Sequence, residues 1–292
     1  MKKSFFSIRR VLLLGLSLIA IYLVCSPRVL PGLYTHRLFL TDREIGNPAD
    51  LANFRDVPNS GTMIPSGPAK TEHIRIWHFD HRGPQHNHQK VYLICPGNAG
   101  DIPRRISFVR RLLATGASVV TYEPRGYGKS QGKPSTQHIM QDGETAFAYV
   151  IDSLGYAPSD VIVYGVSLGC TVAVHLADTR SFDRLVLQSG FASLPAIAHE
   201  KVPFLRIYPS WLFPRDPSLD NAQILKRIHK PLLIMHGGRD NIIDPWHSRY
   251  MYACSASRNK RFQLIAHSDH VSVDERDSIT FARTLIDFVA KP

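Results

Sequence analysis

The sequence predicts an α/β fold with a mostly parallel central sheet flanked by helices, preceded by an N-terminal membrane segment. From Glu72 onward, short β-rich runs alternate with longer helical patterns. The runs "VIVY" and "LLIM" are apolar at every position, which is typical of central strands buried on both faces. With 292 residues, of which 44% are hydrophobic and 20% charged, the chain is large enough for a sizeable core.

The N-terminal segment has the composition of a membrane-targeting sequence. Four basic residues precede an uncharged apolar run, Val11–Val24: Lys2, Lys3, Arg9 and Arg10. This run is shorter than the roughly 20 residues of a spanning helix, as in a signal peptide. However, no small-x-small cleavage site follows, which favours an uncleaved anchor over a removed signal. A buried helix of a soluble domain is the third interpretation.

The domain organisation follows from these patterns. We expect residues 1–30 to be a signal anchor or signal peptide, 31–71 a juxtamembrane extension, and 72–292 the main α/β domain, with a small cap at about 191–220. The positive-inside bias favours a single-pass protein whose main domain is extracytoplasmic, periplasmic or lumenal, or secreted if the signal is cleaved.

Charge and cysteine content limit the possible partners. The formal charge of +11 is spread along the chain with no basic run, which favours attraction to anionic lipid over nucleic-acid binding. The four cysteines have no metal-ligand spacing and are predicted to be buried free thiols, so we expect neither a metal nor another cofactor. The stretch "HFDHRGPQHNHQK" contains His78, His81, His86 and His88 at irregular spacing, and we interpret it as a solvated hairpin loop rather than a metal site.

The elements are predicted in chain order. The strands are "HIRIWHF", "KVYLIC", "ASVVTY", "DVIVYG", "RLVLQS", "PLLIMHG" and "RFQLIAH", and the helices are "IPRRISFVRRLLATG", "QHIMQDGETAFAYVIDSLG", "LGCTVAVHLADT" and "SITFARTLIDFVAK". Because ligand sites of such sheets form at the carboxyl ends of the strands, the residues after each strand are the candidates for chemistry.

A serine between two glycines follows the fourth predicted strand. Gly165, Ser167 and Gly169 form G-x-S-x-G at a strand-to-helix junction, the context of a nucleophile on a strained turn, with glycines where side chains would collide. The alternative is a serine helix cap beside two chance glycines. A serine nucleophile needs a general base, and that base needs an orienting carboxylate.

Both partners are available downstream. The stretch "GRDNIIDP" offers Asp240 and Asp244, and "HSDHVS" offers His267 and His270. Each pair follows a predicted strand, and the order Ser, Asp, His is the one used by strand-turn-helix nucleophiles.

Several motifs together resemble the α/β-hydrolase superfamily, especially its BEM46-like and ABHD13/ABHD17-like membrane-anchored serine hydrolases. They are "CPGNAGD", "YEPRGYGKSQGKPS" and "SGFASL", within a resemblance that runs from about Glu72 to the C-terminus. The resemblance implies an α/β-hydrolase fold with Asp240 as the acid and His270 as the base, leaving Asp244 as a loop carboxylate and His267 as a supporting or surface histidine.

An oxyanion hole is expected from two backbone N–H groups, those of Asn98 and Leu168. Gly97 retains the backbone freedom that this loop needs. Two residues depart from the family pattern: Pro96 stands where a histidine is usual, and Pro124 stands where an aromatic residue is usual.

The aromatic segment "KVPFLRIYPSWLFPRDP" is the candidate substrate-selecting region. Phe204, Tyr208, Trp211 and Phe213 would form an apolar wall for an acyl chain, or else belong to the core beside a short helix. We therefore expect a membrane-associated serine hydrolase that cleaves carboxylic ester or thioester bonds of small-molecule, lipid or acylated-protein substrates. A serine peptidase or amidase, and a non-catalytic binding protein, are the alternatives.

Overall fold

The described part of the chain forms two compact units. The computed structural model describes residues 2–30, 59–81, 90–98, 106–214 and 216–290. The larger unit, Phe39–Ser193 with Ser218–Pro292, contains all eight strands of the described chain. The smaller unit, Met1–Leu38 with Leu194–Pro217, contains the N-terminal helix and the cap segment.

The larger unit is built on one eight-stranded sheet with the order β1-β2-β4-β3-β5-β6-β7-β8. The strands are β1 (Asn59–Ser66), β2 (Glu72–Phe79), β3 (Val91–Cys95), β4 (Ser118–Glu123), β5 (Val161–Val166), β6 (Arg184–Gln188), β7 (Leu232–Gly237) and β8 (Lys260–Ile265). The β1/β2 and β2/β4 pairs are antiparallel, and all other pairs are parallel. The predicted mostly parallel sheet is therefore confirmed.

The seven predicted strands are present with small shifts at their ends, but the sequence missed β1. Its residues, "NSGTMIPS", include a glycine and a proline and few β-branched residues. Pro65 is tolerated because β1 is an edge strand, which has one unpaired side. The sheet therefore begins before residue 72, where we expected the domain to start.

Helices follow most of the parallel strands. They are α1 (Lys2–Val24), α2 (Ile106–Leu113), α3 (Thr136–Ala148), α4 (Gly169–Thr179), α5 (Leu194–Lys201), α6 (Asn221–Leu225), α7 (Trp246–Cys254) and α8 (Ser278–Ala290). Ser135 caps α3, since its Oγ accepts a hydrogen bond from the His138 amide at 3.1 Å. A π-helical turn, Tyr149–Ser153, continues α3. These bounds match the four predicted helices, except that the first residues of the first one lie outside the described chain.

The core lies on both faces of the central strands. Every residue of β3 to β7 is buried. On one face, Phe108 of α2 contacts Tyr164 of β5 and Phe281 of α8, at ring distances of 5.3 and 6.3 Å. Because these strands are rigidly packed, the loops at their carboxyl ends start from well-defined positions.

In its described part, the smaller unit contains α1, α5 and two short 3₁₀ helices, Pro203–Ile207 and Ser210–Leu212. Its second stretch, Leu194–Pro217, lies within the segment 191–220 that the sequence predicts as a cap, and it is called the cap segment below. In the portion of the chain that the structure describes, no helix is long and apolar enough to cross a membrane. Among these residues the predicted N-terminal membrane segment is thus not found.

Candidate active site

Ser167 lies on a sharp turn between β5 and α4. Its φ of 53° is in the left-handed region, which non-glycine residues rarely adopt, and its amide donates to the Gln188 carbonyl at 2.8 Å. A Cβ at Gly169 would lie 2.0 Å from the carbonyl oxygen of Cys95, and one at Gly165 would lie 2.6 Å from the α-carbon of Cys170 in α4. Both glycines are therefore required by close backbone approach, and the turn is more than a serine cap.

The structure brings Ser167, His270 and Asp240 into one hydrogen-bonded chain. The distance from His270 Nε2 to Ser167 Oγ is 3.0 Å, and that from His270 Nδ1 to Asp240 Oδ2 is 2.7 Å. The three residues follow β5, β8 and β7, so all three lie at the carboxyl edge of the sheet. This geometry suits proton transfer from a serine hydroxyl to an oriented imidazole.

Four donors surround the buried Asp240 carboxylate. Oδ1 accepts from the amides of Ile242 and Ile243 at 2.9 and 2.8 Å, and Oδ2 accepts from His270 and from His236 Nε2, the latter at 3.0 Å. Burial alone would raise the pKa of Asp240, but the hydrogen bonds from His236, His270 and the backbone together hold it well below its ordinary range. The carboxylate is therefore ionised and held in a single orientation.

His236 is the residue of this site that sequence reasoning missed. It is fully buried at the end of β7, with Nε2 2.9 Å from the carbonyl of Ile243 and Nδ1 2.6 Å from Ser248 Oγ. Because a carbonyl and a carboxylate can only accept, Nε2 carries the proton, which the Ile243 carbonyl and Asp240 Oδ2 share, and Nδ1 accepts from the Ser248 hydroxyl. The available indication was a histidine inside a buried apolar strand, four residues before the candidate acid.

The alternative acid and base lie outside this chain of hydrogen bonds. Asp244 is exposed and its Oδ1 accepts from the amide of Trp246 at 2.8 Å, which orders the start of α7. His267 is exposed and its Nδ1 lies 3.3 Å from Arg239 Nη2. Both positions agree with the loop and surface roles that the resemblance implied.

The two expected oxyanion positions follow β3 and Ser167. Leu168 begins the first turn of α4, and Asn98 follows Gly97 in the loop after β3. The Tyr127 hydroxyl donates to Asn98 Oδ1 at 2.6 Å, so the side chain of Asn98 is anchored from the loop after β4. The two prolines that depart from the family pattern line one small, mostly apolar cavity beside this region, together with Gly97, Tyr122, Tyr127, Ile139, Leu168 and Val172.

A buried ion pair anchors the loop that carries Tyr127. Arg125 donates to Asp142 through its Nε at 2.8 Å and its amide at 2.7 Å, and Ser66 Oγ adds a third donor at 2.6 Å. Burial raises the pKa of Asp142, and Arg125 and the hydrogen bonds oppose that rise. Any loop conformation that separates Arg125 from Asp142 would leave an uncompensated buried charge, which is costly. The pair therefore holds the loop in one conformation. The signature stretch "YEPRGYG" thus positions Tyr127, and through it Asn98.

The four predicted pocket residues divide into two pairs within the smaller unit. Tyr208 and Phe213 are buried, at 5% and 1% exposure, as expected of core residues. Phe204 and Trp211 are 56% and 59% exposed, so within this unit they are not part of a core. The acyl-wall interpretation remains a prediction.

The free cysteines and the histidines of the predicted loop differ in their burial. Cys95 and Cys170 are buried free thiols as predicted, but Cys25 is exposed and Cys254 half-buried, because both lie at helix ends rather than in central elements. Among the histidines of the predicted loop, His78 is instead buried in β2, 3.4 Å from the Tyr156 hydroxyl, while His86 and His88 lie outside the described residues. The described residues contain no group that could hold a metal ion.

Comparison with known proteins agrees with the class that the fold and the site define, a hydrolase built on an α/β sheet. A family model described as alpha/beta hydrolase fold matches residues 90–220. Uncharacterized protein Rv2307c of Mycobacterium tuberculosis is 31% identical over 236 residues, which cover 75% of this chain and 79% of that protein. This chain belongs to the α/β-hydrolase family.

Two further comparisons concern one relative and one solved structure. Alpha/beta hydrolase domain-containing protein 17C of Xenopus tropicalis is 31% identical over 161 residues, covering 55% of this chain and 49% of that protein. Among solved structures, the Pyrococcus furiosus esterase Pf2001 superposes with a TM-score of 0.68 at 18% identity, over 85% of this chain and 95% of that one. The Xenopus protein supports the resemblance to ABHD17-like members, and the Pyrococcus structure supports the fold.

Proposed function

We propose that this chain is a serine hydrolase that cleaves carboxylic ester or thioester bonds through an acyl-enzyme. The observation that carries the proposal is the chain from Ser167 Oγ to His270 at 3.0 Å and from His270 to the buried Asp240 at 2.7 Å. A nucleophile, a base and an orienting carboxylate at these distances have the geometry of serine acyl transfer.

In the acylation half-reaction, Ser167 Oγ attacks the substrate carbonyl carbon while its proton moves to His270 Nε2. Asp240 accepts the hydrogen bond from Nδ1–H and stabilises the imidazolium that forms. The backbone N–H groups of Leu168 and Asn98 would stabilise the tetrahedral oxyanion. Collapse of this intermediate breaks the ester or thioester bond, and the leaving alcohol or thiol takes the proton from His270.

Deacylation repeats these steps with water. His270 accepts a proton from water as its oxygen attacks the acyl carbon, and collapse of the second intermediate returns the proton to Ser167 Oγ. The carboxylic acid is released and the enzyme is regenerated. All of these steps use groups of the chain and water.

Association with a membrane is the second part of the proposal, with lipid esters or acylated proteins as substrates. It is supported by the basic residues before an apolar run and by the exposed apolar side chains of α1. The positive-inside bias further favours a catalytic domain outside the cytoplasm. Digestion of intact cells with an added protease tests that location.

The first experiment measures hydrolysis of p-nitrophenyl esters from acetate to palmitate, and of an S-acyl thioester, by the full-length chain. Ser167→Ala should lower kcat by more than about 10³-fold, because it removes the nucleophile. A fluorophosphonate should add covalently to the wild-type chain at Ser167 and leave Ser167→Ala unmodified.

Matched variants test the other two roles. His270→Ala and Asp240→Asn should each lose most of the activity, whereas His267→Ala and Asp244→Asn should retain it, because these exposed neighbours lie outside the hydrogen-bonded chain. Turnover of peptide amides without ester turnover would favour the peptidase alternative. A Ser167→Ala variant that hydrolyses the ester at the wild-type rate would refute the mechanism.

A further inference from the structure

The N-terminal helix exposes apolar side chains on all of its sides. Between Val11 and Val24, its large apolar residues have exposures from 40% at Leu23 to 66% at Leu18. Four consecutive residues, 11–14, are all more than half exposed. Because successive helix residues point about 100° apart, these side chains cannot share one face. A protein partner on one face would therefore leave much of this apolar surface uncovered.

The cap segment adds a second exposed apolar group, the cap patch, consisting of Phe204, Ile207 and Trp211. Their exposures are 56%, 63% and 59%. In the same segment, Leu205 and Tyr208 are buried. A 3₁₀ turn has three residues per turn, so one position in three faces the core and the other two face outward. The cap patch is thus the outer face of an ordered segment whose inner face is packed.

Specific contacts join the end of α1 to the cap segment. The ring of Tyr22 stacks on that of Tyr208 at 4.8 Å, and the Tyr22 hydroxyl donates to the Ile207 carbonyl at 2.6 Å. The amide of Arg28 donates to the Leu212 carbonyl at 2.8 Å. Helix and cap are therefore parts of one unit, and whatever binds the helix has the cap patch within reach.

We propose that the cap patch and α1 together form a docking surface that inserts into the interfacial layer of an anionic phospholipid membrane. Tryptophan is favoured at this depth, where an apolar ring and a polar N–H meet. Basic residues flank the apolar ones: Arg206 is exposed between Phe204 and Ile207 in the chain, and Arg10 is exposed before the apolar run. These charges complement anionic headgroups.

This surface extends membrane contact from the N-terminal helix to the cap patch. One consequence of docking rests on the proposed function: a hydrolase docked in this way takes ester or thioester substrates that reside in the lipid phase. The docking itself does not depend on the catalytic chemistry.

The position of Trp211 can be measured directly. Full-length Ser167→Ala protein is mixed with vesicles of phosphatidylcholine and phosphatidylglycerol, with and without bromine on the acyl chains, and tryptophan emission is recorded. Bromine should quench the emission strongly, and Trp211→Phe should remove most of that quenching. Trp246→Phe is the matched control, since Trp246 is 42% exposed but lies in the larger unit. Equal quenching in Trp211→Phe and in its parent would overturn the proposal.

A binding measurement complements the quenching experiment. Phe204→Ser with Ile207→Ser should weaken vesicle flotation about tenfold or more, because apolar area is no longer removed from water. The control pair, Ile279→Ser with Ile286→Ser, changes exposed apolar residues of α8 and should bind like the parent. Unchanged flotation of the cap variant would overturn the proposal. A dimer formed by the parent protein and lost in the cap variant would also overturn it, because the patch would then bind a second copy of the chain. Because all binding is measured in Ser167→Ala, failure of the esterase proposal leaves this result interpretable.

Discussion

Replacement of His236 tests whether the second histidine on Asp240 is needed for catalysis. In His236→Phe, Asp240 Oδ2 loses one of its two donors, and Ser248 Oγ and the Ile243 carbonyl lose their ring partners. A hydrogen bond to a charged group is worth about 1.5–3 kcal/mol, and each orphaned buried group costs a further 1–3 kcal/mol. Since these costs overlap, we expect a stability loss on the order of 3–5 kcal/mol.

The catalytic effect should be smaller than that of losing the acid itself. Asp240 keeps its two backbone donors and His270, so it stays ionised but gains rotational freedom. We expect kcat to fall about 10- to 100-fold, against about 10⁴-fold when the orienting carboxylate of a triad is replaced. The KM should change little, because a fully buried ring does not touch substrate.

The assay is steady-state ester hydrolysis at a temperature where both proteins are folded, as shown by circular dichroism. His236→Gln is the matched variant, since its side-chain amide supplies both an N–H donor group and a carbonyl acceptor and should recover part of the loss. Losing a donor also moves the pKa of Asp240 up toward its ordinary value. A depressed carboxyl pKa stabilises the fold above the unfolded value of about 3.9, so the stability gap between wild type and His236→Phe should narrow as pH falls below that value. A folded His236→Phe with wild-type kcat would refute a positioning role.

Three further predictions concern the turn, the oxyanion loop and a surface carboxylate. Gly169→Ala should unfold the turn that carries Ser167 or push the loop after β3 aside, abolishing activity with a drop in melting temperature, since its Cβ would lie 2.0 Å from the Cys95 carbonyl oxygen. Tyr127→Phe should lower kcat about 3- to 30-fold with little change in KM, because it frees the side chain of Asn98 at a cost of about 1–2 kcal/mol; unchanged kinetics would contradict the anchoring role. At Glu144, burial raises the pKa, but hydrogen bonds, including that from Arg180, overcome this and lower it to about 2. The stability that Glu144 adds is therefore present above about pH 4.3 and lost toward pH 2, so the melting temperatures of wild type and Glu144→Gln should converge over that interval.

Most of the sheet could be predicted because its strands are buried on both faces. Continuous apolar runs such as β5 and β7 stand out from their polar flanks, and a parallel sheet fixes which strand ends share an edge. The edge strand β1 lacks this contrast. One of its faces need not carry apolar side chains, and the backbone groups along its outer edge need not be paired. Its place in the sheet depends on pairing with β2, which is a tertiary property.

The contacts of single side chains could not be predicted in the same way. Spacing placed Asp240 and His270 after the right strands, but the bond between His236 and Asp240 depends on how the loop after β7 turns back on its own strand. Likewise, the sequence "KVPFLRIYPSWLFP" contains four aromatic residues, and only the three-residue turns determine that two of them face outward.

The two glycines after His236 explain how His270 reaches Ser167. His270 follows β8, which is three strands away from β5, and neighbouring strands lie about 4.8 Å apart, so the β8 loop has to fold back over the sheet edge. It does so by packing on the β7 loop: the amide of Gly238 donates to Ile265, and a Cβ at Gly237 would lie 2.4 Å from the Asp269 carbonyl. Any side chain at Gly237 would therefore push the histidine loop away from the nucleophile. The stretch "HGGRD" thus supplies a second donor to the acid, the acid itself, and between them the space through which the base returns to the serine.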